Sequence, residues 1–327
     1  MRVWLAALLV VMAPVFAVPM VVQEELKLLS EHAVDDMPGG NLSGLTYCNG
    51  SMWTVSDRDD EVLYSLDMSK PVWKAVAHHL DIPEVPDSGL PLTLRSMTKA
   101  SSYVRGGAMD FEGVSCDAKG NRYLVSEGYA TVLKVPVDGA PQWLDLPKTL
   151  VEEARAKGML QHFNAIFEGI ATNAAGDHLW LAAEREERGL LAIQHDASGW
   201  HCDGSCVLNT DTDKTQLPKQ LGGKQVSQDY SDLMLYHDKL FTLERATYRI
   251  CRRTLKTGVI ERCWSFADEA LQPMRLYDQP YGLTEALVID DKGAWIGIDN
   301  NFGARADGEK RPIVWRFAAP TDGWDAR

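Results

Sequence analysis

The sequence predicts an all-β protein, a β-propeller of about five blades with six as the alternative, carrying a short helical insertion. Three observations predict it. Five segments share one pattern, in which a small or acidic residue opens an apolar strand, a turn follows, and a second strand ends in an acid. Their spacing contains no doubled interval that would hide a further unit. Short β-rich runs bounded by Gly, Asn and Asp turns, such as Ala175-Gly176-Asp177 and Asp291-Lys292-Gly293, fill each unit.

The elements follow in order. Arg2 precedes an apolar run from Val3 to Met12 and then Pro14-Val15-Phe16-Ala17, the layout of a signal peptide cleaved after Ala17. A retained membrane anchor is the alternative. Pro14, Pro19 and the acids Glu24 and Glu25 weigh against it, because a spanning helix needs about 20 apolar residues. Residues 18–327 then form a single propeller domain. The strand VVQEELKLLS has no repeat partner and is placed to complete the last blade beside VWRF (Val314 to Phe317), closing the ring and removing an open edge.

The repeats read LSGLTYCNGSMWTVSD (Leu42 to Asp57), FEGVSCDAKGNRYLVSE (Phe111 to Glu127), FEGIATNAAGDHLWLAAE (Phe167 to Glu184), YSDLMLYHDKLFTLE (Tyr230 to Glu244) and LTEALVIDDKGAWIGID (Leu283 to Asp299). Their anchors Ser43, Glu112, Glu168, Asp232 and Glu285 are 69, 56, 64 and 53 residues apart. That is longer than a usual blade of about 40 to 50 residues, and loops absorb the surplus. Asp81 to Ser102 reads as a long loop over the channel, and Lys148 to His162 as a helix with apolar spacing. Trp53, Trp180 and Trp295 recur at one place in their units and read as packing between blades. His78 and His79 read as surface residues.

Composition sets limits. The net charge of −13 excludes a nucleic-acid binder and fits an exported protein or one that binds cations. Six cysteines, an even number, suit an oxidising compartment, periplasmic or secreted. Cys251 and Cys263 flank a turn near Thr257-Gly258 and should pair across a hairpin. Cys202 and Cys206 bracket a tight turn, while Cys48 and Cys116 occupy similar places in two repeats.

In every unit the anchor opens one strand and an acid ends its antiparallel partner, so both belong at one end of a hairpin. The spacing makes Glu168 and Glu184 face each other across the ladder. Ten positions gather at one channel mouth: the five anchors with Asp57, Glu127, Glu184, Glu244 and Asp299. Converging carboxylates repel and are relieved by bound cations or by protonation. Without His or Cys partners they favour Ca²⁺. The expected metal ligands are Glu112, Glu168, Asp232 and Glu285. Arg58, Arg185 and Arg245, each following a strand-end acid, can neutralise the ring or hold an anionic ligand. The other reading makes these acids structural, accepting backbone N–H groups that fasten blade to blade.

RGGAMDFEGVS (Arg105 to Ser115), FEGIA (Phe167 to Ala171), LAAERE and LFTLERA resemble the phytase-like, esterase-like propeller family of exported bacterial proteins. The resemblance covers nearly all of the chain after the signal peptide. It implies a propeller with Glu112, Glu168 and Glu285 near the axis and a phosphoester or ester hydrolase. β-Propeller phytases also present a basic phosphate-binding surface, and no such Lys/Arg cluster is evident here. The opening unit is also similar to another exported propeller group with no settled activity, which keeps a non-enzymatic ligand-binding or scaffold reading open.

The leading expectation is calcium-assisted hydrolysis of a small anionic substrate, a phosphate ester, by a monomer. Glu112 or Glu168 serves as general base, and Arg185, Arg245 and Arg105 stabilise the developing charge. A serine esterase is the second enzymatic option; the chain has no G-x-S-x-G elbow, and Ser43, Ser115 or Ser231 are candidates by position alone.

Overall fold

The computed structural model describes residues 24–38, 40–279 and 283–326. The expected signal peptide lies outside the described residues. No helix among them is long and apolar enough to cross a membrane.

All five hairpins form, and each is the inner half of a blade. Blade 1 runs through Gly44–Cys48, Ser51–Val55, Val62–Asp67 and Trp73–His79. Blade 2 runs through Phe111–Cys116, Arg122–Ser126, Thr131–Val135 and Gln142–Trp143. Blade 3 comprises Phe167–Thr172, His178–Ala183 and Arg188–Asp196, with its outer edge shared by Gly199–His201 and Val207–Asp211. Blade 4 comprises Asp232–Tyr236, Lys239–Glu244, Arg249–Arg253 and Ile260–Ser265. Blade 5 takes Thr284–Asp290, Gly293–Ile298 and Ile313–Ala318 from the end of the chain and Leu28–Asp35 from its start.

That last pairing closes the ring as the sequence suggests. Leu28 lies opposite Phe317 and His32 opposite Val314 in an antiparallel ladder. The same N-terminal segment does more than close one blade. Glu24 and Glu25 add a parallel edge to blade 4, and Val34 and Asp35 pair in parallel with Trp73 and Lys74 of blade 1. Glu31 ties the strap inward, accepting from Arg275 at 3.2 Å, Arg305 at 2.9 Å and the Trp315 indole at 3.1 Å.

Each interface between neighbouring blades buries its own apolar cluster. Val55, Leu63 and Phe111 fill the gap between blades 1 and 2. Leu233 and Leu240 meet Ala171 and Leu190 between blades 3 and 4, and Leu45 and Met52 meet Val288 and Val314 between blades 5 and 1. The tryptophans bridge as expected: Trp53 stacks on Arg122 at 4.7 Å and Trp295 lies 5.2 Å from Trp73. His78 and His79 are exposed.

Inner strands run side by side around the axis, and the fifth returns to the first. In blades 1, 2 and 3 a glycine after the anchor allows the close approach. A Cβ on Gly113 would lie 2.8 Å from the Glu168 carbonyl oxygen, and one on Gly169 would lie 2.6 Å from the Leu233 nitrogen.

All three expected or open cysteine positions pair. Cys251 and Cys263 are direct cross-strand partners, Cys202 joins Cys206, and Cys48 joins Cys116 across blades 1 and 2. The disulfides fit an oxidising compartment.

Two insertions differ from the sequence reading. The supposed loop over the channel contains helix α1, Leu92–Arg105. It starts directly after Pro91 and buries Leu94 and Thr98, and Gly106 at φ +81° ends it. The prolines and glycines before Pro91 mark a loop, but they stop short of a segment able to form a turn-by-turn buried stripe. Helix α2 is shorter than expected, Thr149–Ala156 rather than 148–162. Gly158 at φ +91° turns the chain away, so that Met159 and Leu160 enter the core as non-helical residues.

Candidate functional site at the channel mouth

The inner strands begin at one mouth of the channel, where a cavity of 390 Å³ opens among Asp57, Glu112, Glu168, Glu184, Glu285, Asp299, Arg58, Arg185 and Arg245. Six of the ten positions gathered by the repeat therefore line one site.

Three of the anchors are aimed by β-bulges. In blade 2 Phe111 pairs with Ser126 and Gly113 with Val125, so Glu112 is the extra residue. Glu168 and Glu285 occupy the same position in blades 3 and 5. A bulge residue leaves the ladder and its side chain can be redirected, here toward the axis. It also corrects the expected register: Phe167 pairs with Ala183, and Glu184 lies one residue beyond the strand, so Glu168 and Glu184 are not directly opposed. Both still reach the cavity.

Of the other four, Glu127 stays beside Glu168 and Glu184, while Asp232, Ser43 and Glu244 turn elsewhere. Asp232, expected as a metal ligand, accepts the N–H of Leu233 at 2.8 Å and that of Leu287 in the next blade at 2.7 Å. Its Oδ2 fastens blade 4 to blade 5 while Oδ1 stays within its own strand, and the residue stands outside the cavity lining. Ser43 accepts the Asp57 N–H at 3.2 Å. Glu244 faces between blades 3 and 4, where Arg249 and Arg253 bind it at 2.5 and 2.7 Å and Arg188 approaches to 3.5 Å. Burial works against its charge, but the three arginines prevail and hold it down to about 2.

Arg245 occupies the ring itself. Its Nη1 donates to Glu285 at 2.6 Å, its Nε to Asp229 at 2.9 Å and its Nη2 to Glu184, with Glu168 at 3.7 Å. Burial opposes its charge, yet Glu285, Glu168 and Asp229 hold it protonated. A guanidinium spent on this cage is not free to grip a substrate, which corrects its expected catalytic role. Arg185 differs: it donates to Glu184 and to the Asn164 carbonyl, and its side chain remains 36% exposed in the mouth. The side chain of Arg105 lies outside the described residues. Ser43, Ser115 and Ser231 stand outside the cavity lining, which includes no serine among the described residues.

The acids also face one another, one group beside blades 1 and 2 and one that shares Glu168 and Glu184 with Arg245. Asp57, Asp110 and Glu112 bring carboxylate oxygens within 4.8 Å of each other, as do Glu127, Glu168 and Glu184. All six are buried or nearly so, and either group can hold a metal ion. Burial first, then the charges of Glu168, Asp57, Asp110 and Glu127, push Glu112 well above the usual carboxylate range. Glu127 is pushed up the same way by burial and Asp110. Asp299 rises to about 7 through burial and the charge of Asp57.

Two contributors escaped the repeat pattern, Asp110 and Asp229. Each lies two or three residues before an anchor, and an acid just upstream of the anchor was the available signal. Asp110 is held at φ +53°, in the left-handed region that Asp tolerates better than most residues.

A family model for phytase-like proteins, described as the esterase-like activity of phytase, matches residues 37–247. The chain belongs to this family. No protein with a curated description matches it. Among solved structures, glutaminyl cyclase from Myxococcus xanthus superposes with a TM-score of 0.50 at 10% identity, covering 89% of this chain and 95% of that one. Virginiamycin B lyase from Staphylococcus aureus gives 0.45 at 10% identity over 90% of this chain and all of the other. PQQ-bound aldose sugar dehydrogenase from Streptomyces coelicolor gives 0.46 at 12% identity over 90% and 98%. At such identities the first of these speaks for the fold alone. The phytase-like family assignment therefore rests on the match over residues 37–247.

Proposed function

We propose that this phytase-like propeller is an exported hydrolase of small anionic esters, phosphate monoesters foremost, that uses calcium held at the channel mouth. The observation that carries the reading is the pair of buried carboxylate triads, Asp57/Asp110/Glu112 and Glu127/Glu168/Glu184, built from oxygen donors alone. Their mutual repulsion favours a hard cation over an empty site. Calcium bound there shields the charge of a phosphate group and so admits it to an acidic cavity.

The chain's own residues supply the remaining functions. Arg185, partly exposed in the mouth, donates hydrogen bonds to the phosphoryl oxygens as charge develops on them. Glu112 or Glu168 takes the proton of the attacking water, since burial raises the basicity of both carboxylates. Arg245 positions Glu285, Glu184 and Asp229 rather than touching substrate.

A second reading is favoured by Arg245 itself. Part of the ring is already neutralised by a side chain, as in a scaffold or ligand-binding propeller with a structural ion. The two readings separate in one experiment. Thermal unfolding with EDTA and with added Ca²⁺, alongside a phosphomonoesterase assay, should show stabilisation and turnover together. Glu112→Gln with Glu168→Gln should abolish both calcium stabilisation and turnover in folded protein. Stabilisation without turnover selects the scaffold, and an unchanged double variant overturns the calcium site.

A further inference from the structure

The polar cavity has an apolar border on one side. Phe302 is 65% exposed and follows Asn301, a lining residue, with both in the left-handed region at φ +58° and +45°. A bulky residue seldom takes that conformation unless the surroundings impose it. Here Asn301 donates its N–H to Asp299 at 2.7 Å and Gly303 donates to the Asn300 carbonyl at 2.6 Å, which fixes the turn. Strained, over-determined backbone of this kind collects at binding sites.

The end of helix α1 borders the same place. A Cβ on Gly107 would lie 1.7 Å from the Asp57 carbonyl oxygen, and one on Gly106 would lie 3.4 Å from that of Arg58. The helix terminus is therefore packed onto the Asp57-Arg58 turn of the cavity. Just before it stand Tyr103 and Val104, 81% and 91% exposed. The Arg58 guanidinium, also in the lining, lies 5.9 Å from the Phe302 ring centre. Phe302 thus flanks Arg58, Tyr103 and Val104 stand three and two residues before the Gly106 that borders the Arg58 carbonyl, and all three leave large apolar surfaces in water.

We propose that these residues form an apolar lip that selects esters whose alcohol part is aliphatic or aromatic, with the anionic group held in the acidic cavity and the carbon body laid against Phe302, Tyr103 and Val104. The occupant follows from continuity: a ligand whose head is held in the cavity at Arg185 and the carboxylate triads meets, past Arg58 and Asn301 of the lining, the exposed ring of Phe302 as an apolar border. The inference rests on the anionic-ester reading of the mouth, and its test must separate the two.

Alkylphosphonates from methyl to hexyl, which carry the head group but cannot be hydrolysed, provide that test by calorimetry on the full chain with calcium present. Affinity should rise about twofold for each added methylene, half of what complete burial of the group would give. Phe302→Ala should flatten that dependence, and so should Tyr103→Ser combined with Val104→Ser. Leu92→Ser should leave it unchanged, because Leu92 is equally apolar and 71% exposed but begins the same helix, about 20 Å away. Binding that is independent of chain length overturns the lip and leaves the pocket reading standing. A slope that survives both lip variants also overturns it. Absence of binding at every length overturns the pocket reading, and the lip with it.

Discussion

Two halves of one acidic ring solve the same electrostatic problem differently. Beside blades 4 and 5 the solution is covalently attached: Arg245 sits among Glu285, Glu184 and Asp229 and satisfies them at hydrogen-bond distance. Beside blades 1 and 2, Asp57, Asp110 and Glu112 bring carboxylate oxygens within 4.8 Å of one another, and Arg58 approaches Asp57 at 3.2 Å. Repetition of a motif therefore places acids but does not determine what balances them. Arg245 balances one half of the ring, and the Asp57/Asp110/Glu112 group in the other half, close enough to hold a cation, is where one is to be sought first.

The comparison breaks most visibly at Arg245. Removing one partner of a buried ion pair costs about 3–5 kcal/mol, because the charges left behind have no compensation. Arg245→Met should lower the unfolding free energy in urea at pH 7 by that amount, and adding Glu285→Gln should recover part of it. A loss well below 1 kcal/mol would show that Arg245 does not hold this half together. If Arg245→Met gains a calcium response larger than that of the unaltered protein, one half has been converted into the other.

In EDTA the Asp57/Asp110/Glu112 side of the ring should reveal itself through pH. Burial and neighbouring charge hold Glu112 and Glu127 well above their unfolded values, and Asp299, which faces Asp57 from the end of blade 5, is moved from 3.8 to about 7. The folded protein then binds more protons than the unfolded chain, so stability is greatest below about pH 4 for this contribution and is lost as pH rises toward 7. In EDTA, melting temperature should fall across that window. Calcium at a hundred times its Kd should restore about 2.7 kcal/mol at pH 7 and little at pH 4, where the ligands are protonated. A melting temperature that rises from pH 4 to 7 in EDTA would contradict the repulsion argued for Glu112 and Glu127.

The blade count and ring closure were legible because both follow from periodicity. Anchor spacing and the unpartnered strand before Leu42 sufficed, and the ladder of Leu28 with Phe317 confirms the latter. The Cys251 pairing was legible from a hairpin's symmetry, whereas Cys48 with Cys116 required knowing which blades are neighbours in space. The site was legible as a place more than as a set of roles. Anchor position alone cannot distinguish Glu112, expelled from its ladder by a bulge, from Asp232, whose backbone stays in register. Nor does Glu-Arg at a strand end disclose that Glu244 turns outward to Arg188, Arg249 and Arg253 while the following Arg245 turns inward.

Asp232 gives the finest test of the distinction between motif and role. It stands at an anchor, as Glu112 does, but its two oxygens accept the amides of Leu233 and Leu287. Asp232→Asn retains one acceptor oxygen and presents an NH₂ group to the other amide, leaving a buried donor unsatisfied at a cost of roughly 1–2 kcal/mol. That loss should appear equally in EDTA and in calcium, because fastening blade 4 to blade 5 does not involve the cation. Glu112→Gln should do the reverse, relieving repulsion and stabilising the protein in EDTA while reducing the gain from calcium. If Asp232→Asn instead removes the calcium-dependent rise in melting temperature, the fourth anchor belongs with the ligands after all, and the boundary between the two halves lies beyond blade 4.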